Sequence, residues 1–160
     1  MKYQATNIRK ITRDLEAVAR AIETHECDSG RQMLIHLFKR DQHNIRLSPF
    51  FFAHEFASKD GAVTIIIHKD MLDKLNTLRQ ALNKPVVITS GYRTPEHNAR
   101  IPGAATESMH LEGKAADITV AGMTPAQVAE AAEKVGFNGI GVYSTFTHVD
   151  VRDTKTRWNG

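Results

Sequence analysis

A single cysteine, Cys27, stands in the whole chain, so no internal disulfide can form. Free cysteines are mostly buried and inert, and this one is read as incidental. No apolar run approaches the ~20 residues that span a bilayer. The longest, such as residues 50–53 and 65–67, are strand-sized at most. The first residues, MKYQATNIRKITRDLEAV, hold no apolar core and no small-residue cleavage site. A Sec-type leader is therefore not expected, which leaves work in the cytoplasm or delivery by another route. There is no internal repeat and no low-complexity stretch. Lysine and arginine number 21 against 18 acids, a net charge of +3. They are scattered, without an aromatic-interleaved basic stripe, which argues against nucleic-acid binding. The mild positive balance suits an anionic polymer without requiring one.

What is present fits one domain. With 160 residues, 41% of them apolar, the chain can bury a single core. Ile8, Ile11, Leu15, Val18 and Ile22 recur at helical spacing and predict an amphipathic helix over about residues 5–24, with a break at 25–30. Met33, Leu34, Leu37 and Phe38 give a weaker helical pattern. The first 45 residues are read as a helical extension that offers a face for oligomerisation. Phe50, Phe51, Phe52 and Phe56 read as core. Residues 63–67 predict a strand. Asp70 is placed as the cap of a helix whose stripe is Met71, Leu75, Leu78 and Leu82, stopped by Asn83 and Pro85.

Residues 85–89 form a second strand, and the turn Ser90-Gly91-Tyr92-Arg93 follows it. Thr94 and Pro95 open a short helix. Residues 101–114 read as a loop, and residues 115–120 as a strand. Thr124 and Gln127 form a capping box for a helix ended by Gly136. Residues 139–143 and 147–152 predict two antiparallel strands. Helices first, then strands around one helix, favours α+β over a parallel α/β sheet.

Two segments carry chemistry: 108–117 (SMHLEGKAAD) and 148–150 (HVD). In a strand, Asp117 shares a face with Ala115 and Thr119, while Ala116, Ile118 and Val120 point to the core. The Gly113 turn can fold His110 back toward Asp117, and an adjacent strand can bring His148 to the same point. Two imidazoles and a carboxylate suit zinc and leave a fourth place for water. From spacing alone, the other reading stays open: ordinary histidines and a turn aspartate.

The pattern S-x-H-x-x-G-x-A-x-D followed by a distal H-x-D resembles the zinc D-alanyl-D-alanine carboxypeptidase family, which includes phage cell-wall endopeptidases and shares its metal fold with the hedgehog signalling domain. The resemblance runs over about residues 48–158, through LSPFFFAHEFASKDG, KPVVITSGYRTPEHNARIPGA, SMHLEGKAADI, GFNGIGVYSTFTHVDVR and Trp158. It implies a small antiparallel sheet packed on helices in residues 46–160, with zinc at one face. It also implies His110, Asp117 and His148 as ligands, and hydrolysis of amide bonds in peptidoglycan peptides. Arg93 is implied to bind a substrate carboxylate or carbonyl oxygen, for which a guanidinium fork is suited. Ser108, two residues before a ligand, is placed near the metal as a substrate-binding residue or a structural loop serine, without a nucleophilic role. Without a leader, a phage-borne protein acting at the cell wall is one expectation.

The general base is where this chain departs from the family. Some members place an acid three residues before the last ligand, where Thr145 stands. Others of the fold use a histidine two residues before it, where Phe146 stands. Asp150 is the next candidate, either as base or as the carboxylate that orients a ligand or pairs with Arg152. Glu107, Glu112 and His97 are reserves, and His97 and Asn98 are placed beside the cleft. Histidines 25, 36, 43, 54 and 68 have no partner pattern and are read as non-functional. Carboxypeptidase and endopeptidase action are not separable at this level. An inactive zinc-binding domain, or an assembly domain of a phage particle, stands as the alternative.

Overall fold

A computed structural model of the chain describes residues 32–36 and 45–160. The helix expected over residues 5–24 and the break after it lie outside the described residues. The order is β1 (Gln32–His36), a 3-10 turn (Ala53–Phe56), β2 (Thr64–His68), α1 (Lys69–Leu82), β3 (Val86–Ser90) and α2 (Pro95–Ala99). A second 3-10 turn (Met109–Glu112), β4 (Ala115–Val120), α3 (Pro125–Val135), β5 (Gly139–Val142), β6 (Thr147–Asp150) and β7 (Thr156–Asn159) complete it.

Residues 32–36 correct the helical reading of the segment around Met33. They form a strand paired antiparallel with β2, Gln32 facing His68 and His36 facing Thr64. A short apolar run is ambiguous in period, and a partner edge decides it. Part of the segment expected as a helical extension therefore joins a two-stranded ladder with the domain.

Helix α1 begins at Lys69, one residue before the expected cap, so Asp70 lies in its first turn. Met71, Leu72, Leu75 and Leu78 form the buried stripe, and Asn83 ends the helix in the left-handed region at φ 48°. Helix α3 carries the expected capping box between Thr124 and Gln127 and ends on Gly136. Both helices pack on the same face of the main sheet and on each other. That face presents Val86, Ala116, Ile118, Val120, Ile140 and Val149, all but sealed from solvent, and Phe137 joins them. Phe51 and Phe56 meet edge to face at 5.9 Å in the same core. Phe50 packs at its margin.

The main sheet has the order β3-β4-β6-β5-β7. Four strands pair antiparallel, but β5 and β7 run parallel, so the sheet is mixed where an antiparallel one was expected. Strand β6 ends beside the start of β5, since Gly139 faces Asp150. Residues 151–155 then carry the chain around that end to the free edge of β5, where Thr156 falls opposite Gly139. Among the described residues no helix is long and apolar enough to cross a membrane.

Because side chains alternate across a sheet, the residues next to the core positions line the opposite face. Register places Ser90, Asp117, His148, Gly141 and Trp158 in one row across the five strands. Ala115, Asp150, Gly139 and Thr156 form the row beside it. The chemistry of this protein lies along these two rows.

Candidate metal centre

His110 reaches the sheet from a turn. The Ser108 hydroxyl accepts from the His110 amide at 3.4 Å and opens the 3-10 turn, and Gly113 closes it at φ 67°. Glycine is required at 113 on two counts. The left-handed φ disfavours a side chain, and a Cβ there would overlap the backbone of Ile66. The Gly113 carbonyl accepts from the His68 amide at 3.0 Å, so the turn is pinned onto β2.

The preceding turn completes the placement. The His110 carbonyl accepts from the Arg93 amide at 3.1 Å, and Tyr92 donates to the Phe56 carbonyl at 2.9 Å. His110 Nδ1 lies 2.6 Å from the Gly91 carbonyl oxygen. A carbonyl only accepts, so Nδ1 carries the proton and Nε2 presents its lone pair.

Three donor atoms then converge. His110 Nε2 is 3.3 Å from His148 Nδ1 and 3.3 Å from Asp117 Oδ1, and His148 Nδ1 is 2.9 Å from Asp117 Oδ1. Ligands at ordinary zinc distances in a tetrahedron stand about 3.3 Å apart. The triangle is therefore of the size that one such ion spans, and its atoms are of the types such an ion takes. Within the described residues this trio is the group of histidines, cysteines and acids close enough to share an ion. His54 and His68 lie outside it.

Each of the three side chains is held from behind. Asp117 Oδ2 accepts from Arg93 Nη2 at 2.6 Å, which leaves Oδ1 to the triangle, and Arg93 Nε donates to Ser90 Oγ at 3.0 Å. His148 Nε2 lies 3.1 Å from Asp150 Oδ2. Asp150, wholly buried, is gripped in turn by the Arg152 guanidinium, at 2.8 Å from Nε to Oδ1, and by the Arg152 amide. Such outer carboxylates fix ring orientation and tautomer.

Electrostatics follow from this packing. Burial pushes the His110 imidazole below its usual pKa. Burial opposes ionisation of Asp117, yet the two imidazoles beside it, His148 Nδ1 at 2.9 Å among them, outweigh it and hold the carboxyl well below the usual carboxylate range. Burial likewise disfavours protonated His148, but Asp117 and Asp150 on its two nitrogens outweigh it and raise the pKa. Asp150 is also held low, by His148 and Arg152 against burial.

The triangle opens into a cleft of about 520 Å³. Arg93, Glu107 and Ser108 line one side, and Tyr143, Phe146, Arg152 and Trp158 the other. Tyr143 and Phe146 stack at 4.4 Å, and the Tyr143 hydroxyl accepts from Trp158 Nε1 at 3.1 Å. Of the residues expected here, His110, Asp117, His148, Arg93, Ser108 and Glu107 come together. Asp150 lies behind His148 and does not line the cleft. Glu112 pairs with Lys114 on the surface. His97 is also off the cleft, and buried Asn98 donates to the Ala105 carbonyl at 2.9 Å, tying down the cleft's rim. Sequence reasoning missed the aromatic wall and the Gly91 carbonyl. The sequence's signal for the wall is Trp158, which falls within the resemblance.

Residues 50–151 match the family model described as Peptidase M15. The probable peptidoglycan L,D-endopeptidase MepK of Haemophilus influenzae is 36% identical over 84 residues, 49% of this chain and 45% of that protein. The peptidoglycan L,D-endopeptidase MepK of Escherichia coli K12 is 35% identical over 92 residues, 52% of this chain and 50% of that protein. The chain spans about half the length of these curated relatives.

Proposed function

The chain belongs to the M15 peptidase family, and from that premise we propose that it is a zinc-dependent endopeptidase cleaving amide bonds in peptidoglycan peptides. The observation that carries this reading is the triangle of His110 Nε2, Asp117 Oδ1 and His148 Nδ1, sized for one ion and open on its cleft side. Two imidazoles and a carboxylate favour zinc, and three protein ligands are the catalytic pattern. Bound there, zinc would polarise a scissile carbonyl and acidify a water.

The remaining work falls to the chain's own groups. Gly91, Arg93 and Asp150 hold the ligands in position before substrate arrives. Arg93 keeps Nη1 unengaged among the described residues, and this donor serves the carbonyl oxygen of the substrate as charge develops on it. Asp150, shut behind His148 and bound to Arg152, is assigned to orienting the ligand and not to taking the proton. Glu107 is the acid besides Asp117 that lines the cleft, and it takes the role of proton acceptor.

Endopeptidase action is supported over carboxypeptidase action by the state of the cleft's cations. Recognition of a terminal carboxylate calls for a free guanidinium or ammonium. Arg152 grips Asp150 with two nitrogens and Arg93 spends Nη2 on Asp117 and Nε on Ser90, which leaves Arg93 Nη1 as a donor for one carbonyl oxygen and no wholly free guanidinium for a carboxylate. The relatives named as endopeptidases agree with this. Mass spectrometry of peptidoglycan fragments after incubation, with His110→Ala as control, identifies the cleaved bond. Zinc bound by the wild type with no fragment released, even at excess protein, would instead favour a non-catalytic binding module.

A further inference from the structure

Strand β5 reads Gly139-Ile140-Gly141, and neither glycine is there for its backbone. Both lie in extended strand paired on two sides, where any residue could sit. Space is what they supply. A Cβ at Gly139 would overlap the carboxylate carbon and both oxygens of Asp150. A Cβ at Gly141 would overlap the indole of Trp158.

Register explains why these two positions matter. Gly141 stands between His148 on β6 and Trp158 on β7. Strands two apart are separated by about 9.6 Å, too far for ordinary neighbours to touch. With no side chain between them, the indole lies across β5 and its ring centre comes within 5.2 Å of the His148 ring. The Arg152 guanidinium covers the indole at 5.0 Å, and the Tyr143 hydroxyl holds its nitrogen. One row on, Gly139 stands beside Asp150 and leaves the pocket that the buried carboxylate fills. From there Asp150 meets His148 Nε2, while Arg152 closes over it with a bidentate grip.

We propose that Gly139 and Gly141 are positioning residues for the metal site: they admit the Asp150 carboxylate and the Trp158 indole to the flanks of His148, so that the ring presents Nδ1 to the ion. The terminal strand β7 and Arg152, which lie beyond the residues matched by the family model, are on this account parts of the metal centre. An orientation with Nε2 toward Asp117 would take that nitrogen from Asp150 Oδ2, which it meets at 3.1 Å here. A side chain at 139 has no room to be absorbed, because Asp150 is fully buried and held by four nitrogens: His148 Nε2, and the amide, Nε and Nη2 of Arg152. The inference rests on the cluster being a metal site.

The test is zinc affinity of the full chain by chelator competition, together with nitrogen NMR of the His148 ring and the melting temperature of the metal-free protein. Gly139→Ala is expected to weaken zinc roughly 10–100-fold, the usual effect of losing an outer partner of a ligand. The double variant Gly139→Ala with Asp150→Ala should bind no worse than Asp150→Ala alone, because both changes remove one interaction. A merely structural role lowers the melting temperature but predicts additive losses. Wild-type His148 should carry its proton on Nε2 when zinc is bound, since Nδ1 holds the ion, and Asp150→Ala should shift a share of the rings to zinc on Nε2 with the proton on Nδ1. Trp158→Ala should weaken zinc in the same direction, and Gly141→Ala should add nothing further to it. Should Gly139→Ala or Gly141→Ala prevent folding, Asp150→Ala and Trp158→Ala carry the test with β5 intact. Unchanged affinity in those variants, additive losses in the doubles, or a wild-type ring protonated on Nδ1 overturns the proposal. A wild type that takes up no zinc overturns the metal reading itself, a distinct failure.

Discussion

The ring nitrogen Nδ1 of His110 points at the carbonyl oxygen of Gly91 across 2.6 Å, so a turn in one segment decides which nitrogen another segment offers to a metal. Gly91 in turn lies against Phe56, where an added Cβ would stand 2.7 Å from Cα and 2.8 Å from the carbonyl oxygen. Backbone cannot yield as a flexible side chain does, so the turn must move instead. Gly91→Ala is expected to lower zinc affinity about 10–100-fold through misorientation of His110. Chelator competition measures it. Affinity equal to wild type would show that the Gly91 carbonyl does not set the ligand.

Arg93 answers to two demands, and its variants separate them. Its Nη2 fixes Asp117 Oδ2, and its remaining donor is assigned to substrate. Arg93→Ala should cost about 10²–10³-fold in kcat, the scale of a lost oxyanion donor, and should also loosen zinc. Arg93→Lys can retain a charge near Asp117 but not the fork. It should restore most of the zinc affinity and little of the turnover. If the lysine variant turns over substrate like wild type, Arg93 serves only Asp117.

Zinc affinity should fall with acid, with a slope that reports one proton. Each ligand must shed its proton to bind an ion. Burial has already lowered the pKa of His110, and the imidazoles hold Asp117 ionised, so neither competes near neutrality. His148 is the competitor, because Asp117 and Asp150 outweigh burial and raise its pKa. A raised pKa means the proton persists to higher pH, so competition sets in as pH falls through that raised value. Below it the dissociation constant should rise about tenfold per pH unit. Asp150→Ala removes one carboxylate that holds the proton, and the onset should move to lower pH. A pH-independent dissociation constant between about pH 8 and about pH 5.5 would rule this out.

Much of this was legible in the residues, for identifiable reasons. Alternation in 115–120 placed Asp117 opposite Ala116 and Ile118, and the structure keeps that division. The capping box at Thr124 and Gln127 marked α3, since capping is local chemistry. The motifs around His110 and His148 pointed to the family whose model matches residues 50–151. What stayed hidden depends on long-range pairing. Thr156–Asn159 is a short, half-exposed run whose strand character comes from β5, so β7 and the mixed sheet went unread. Residues 32–36 took their form from β2 and not from their own weak period. Asp150 offered two roles in sequence. Only its burial behind His148 supports orienting over proton transfer.

If orienting is what Asp150 does, the proton of the attacking water needs another acceptor, and the cleft narrows the choice. The resemblance implies an acid or a histidine where Thr145 and Phe146 stand, and neither of these side chains can take a proton. Of the acids that line the cleft, Asp117 is committed to the ligand triangle and to Arg93, which leaves Glu107 on the rim. Glu107 has no hydrogen bond or ion pair among the described residues, so its carboxylate is not already spent. The rim that carries it is tied to α2 through Asn98 and the Ala105 carbonyl. General-base assistance contributes about 10²–10⁴-fold. Glu107→Gln should therefore lower kcat by at least about 10²-fold while zinc affinity stays at the wild-type value. Asp150→Asn should instead lower zinc affinity and turnover together, since a ligand's support is removed. Measuring kcat and zinc affinity on the same two preparations separates the roles. A Glu107→Gln enzyme with undiminished turnover would return the proton-accepting role to Asp150.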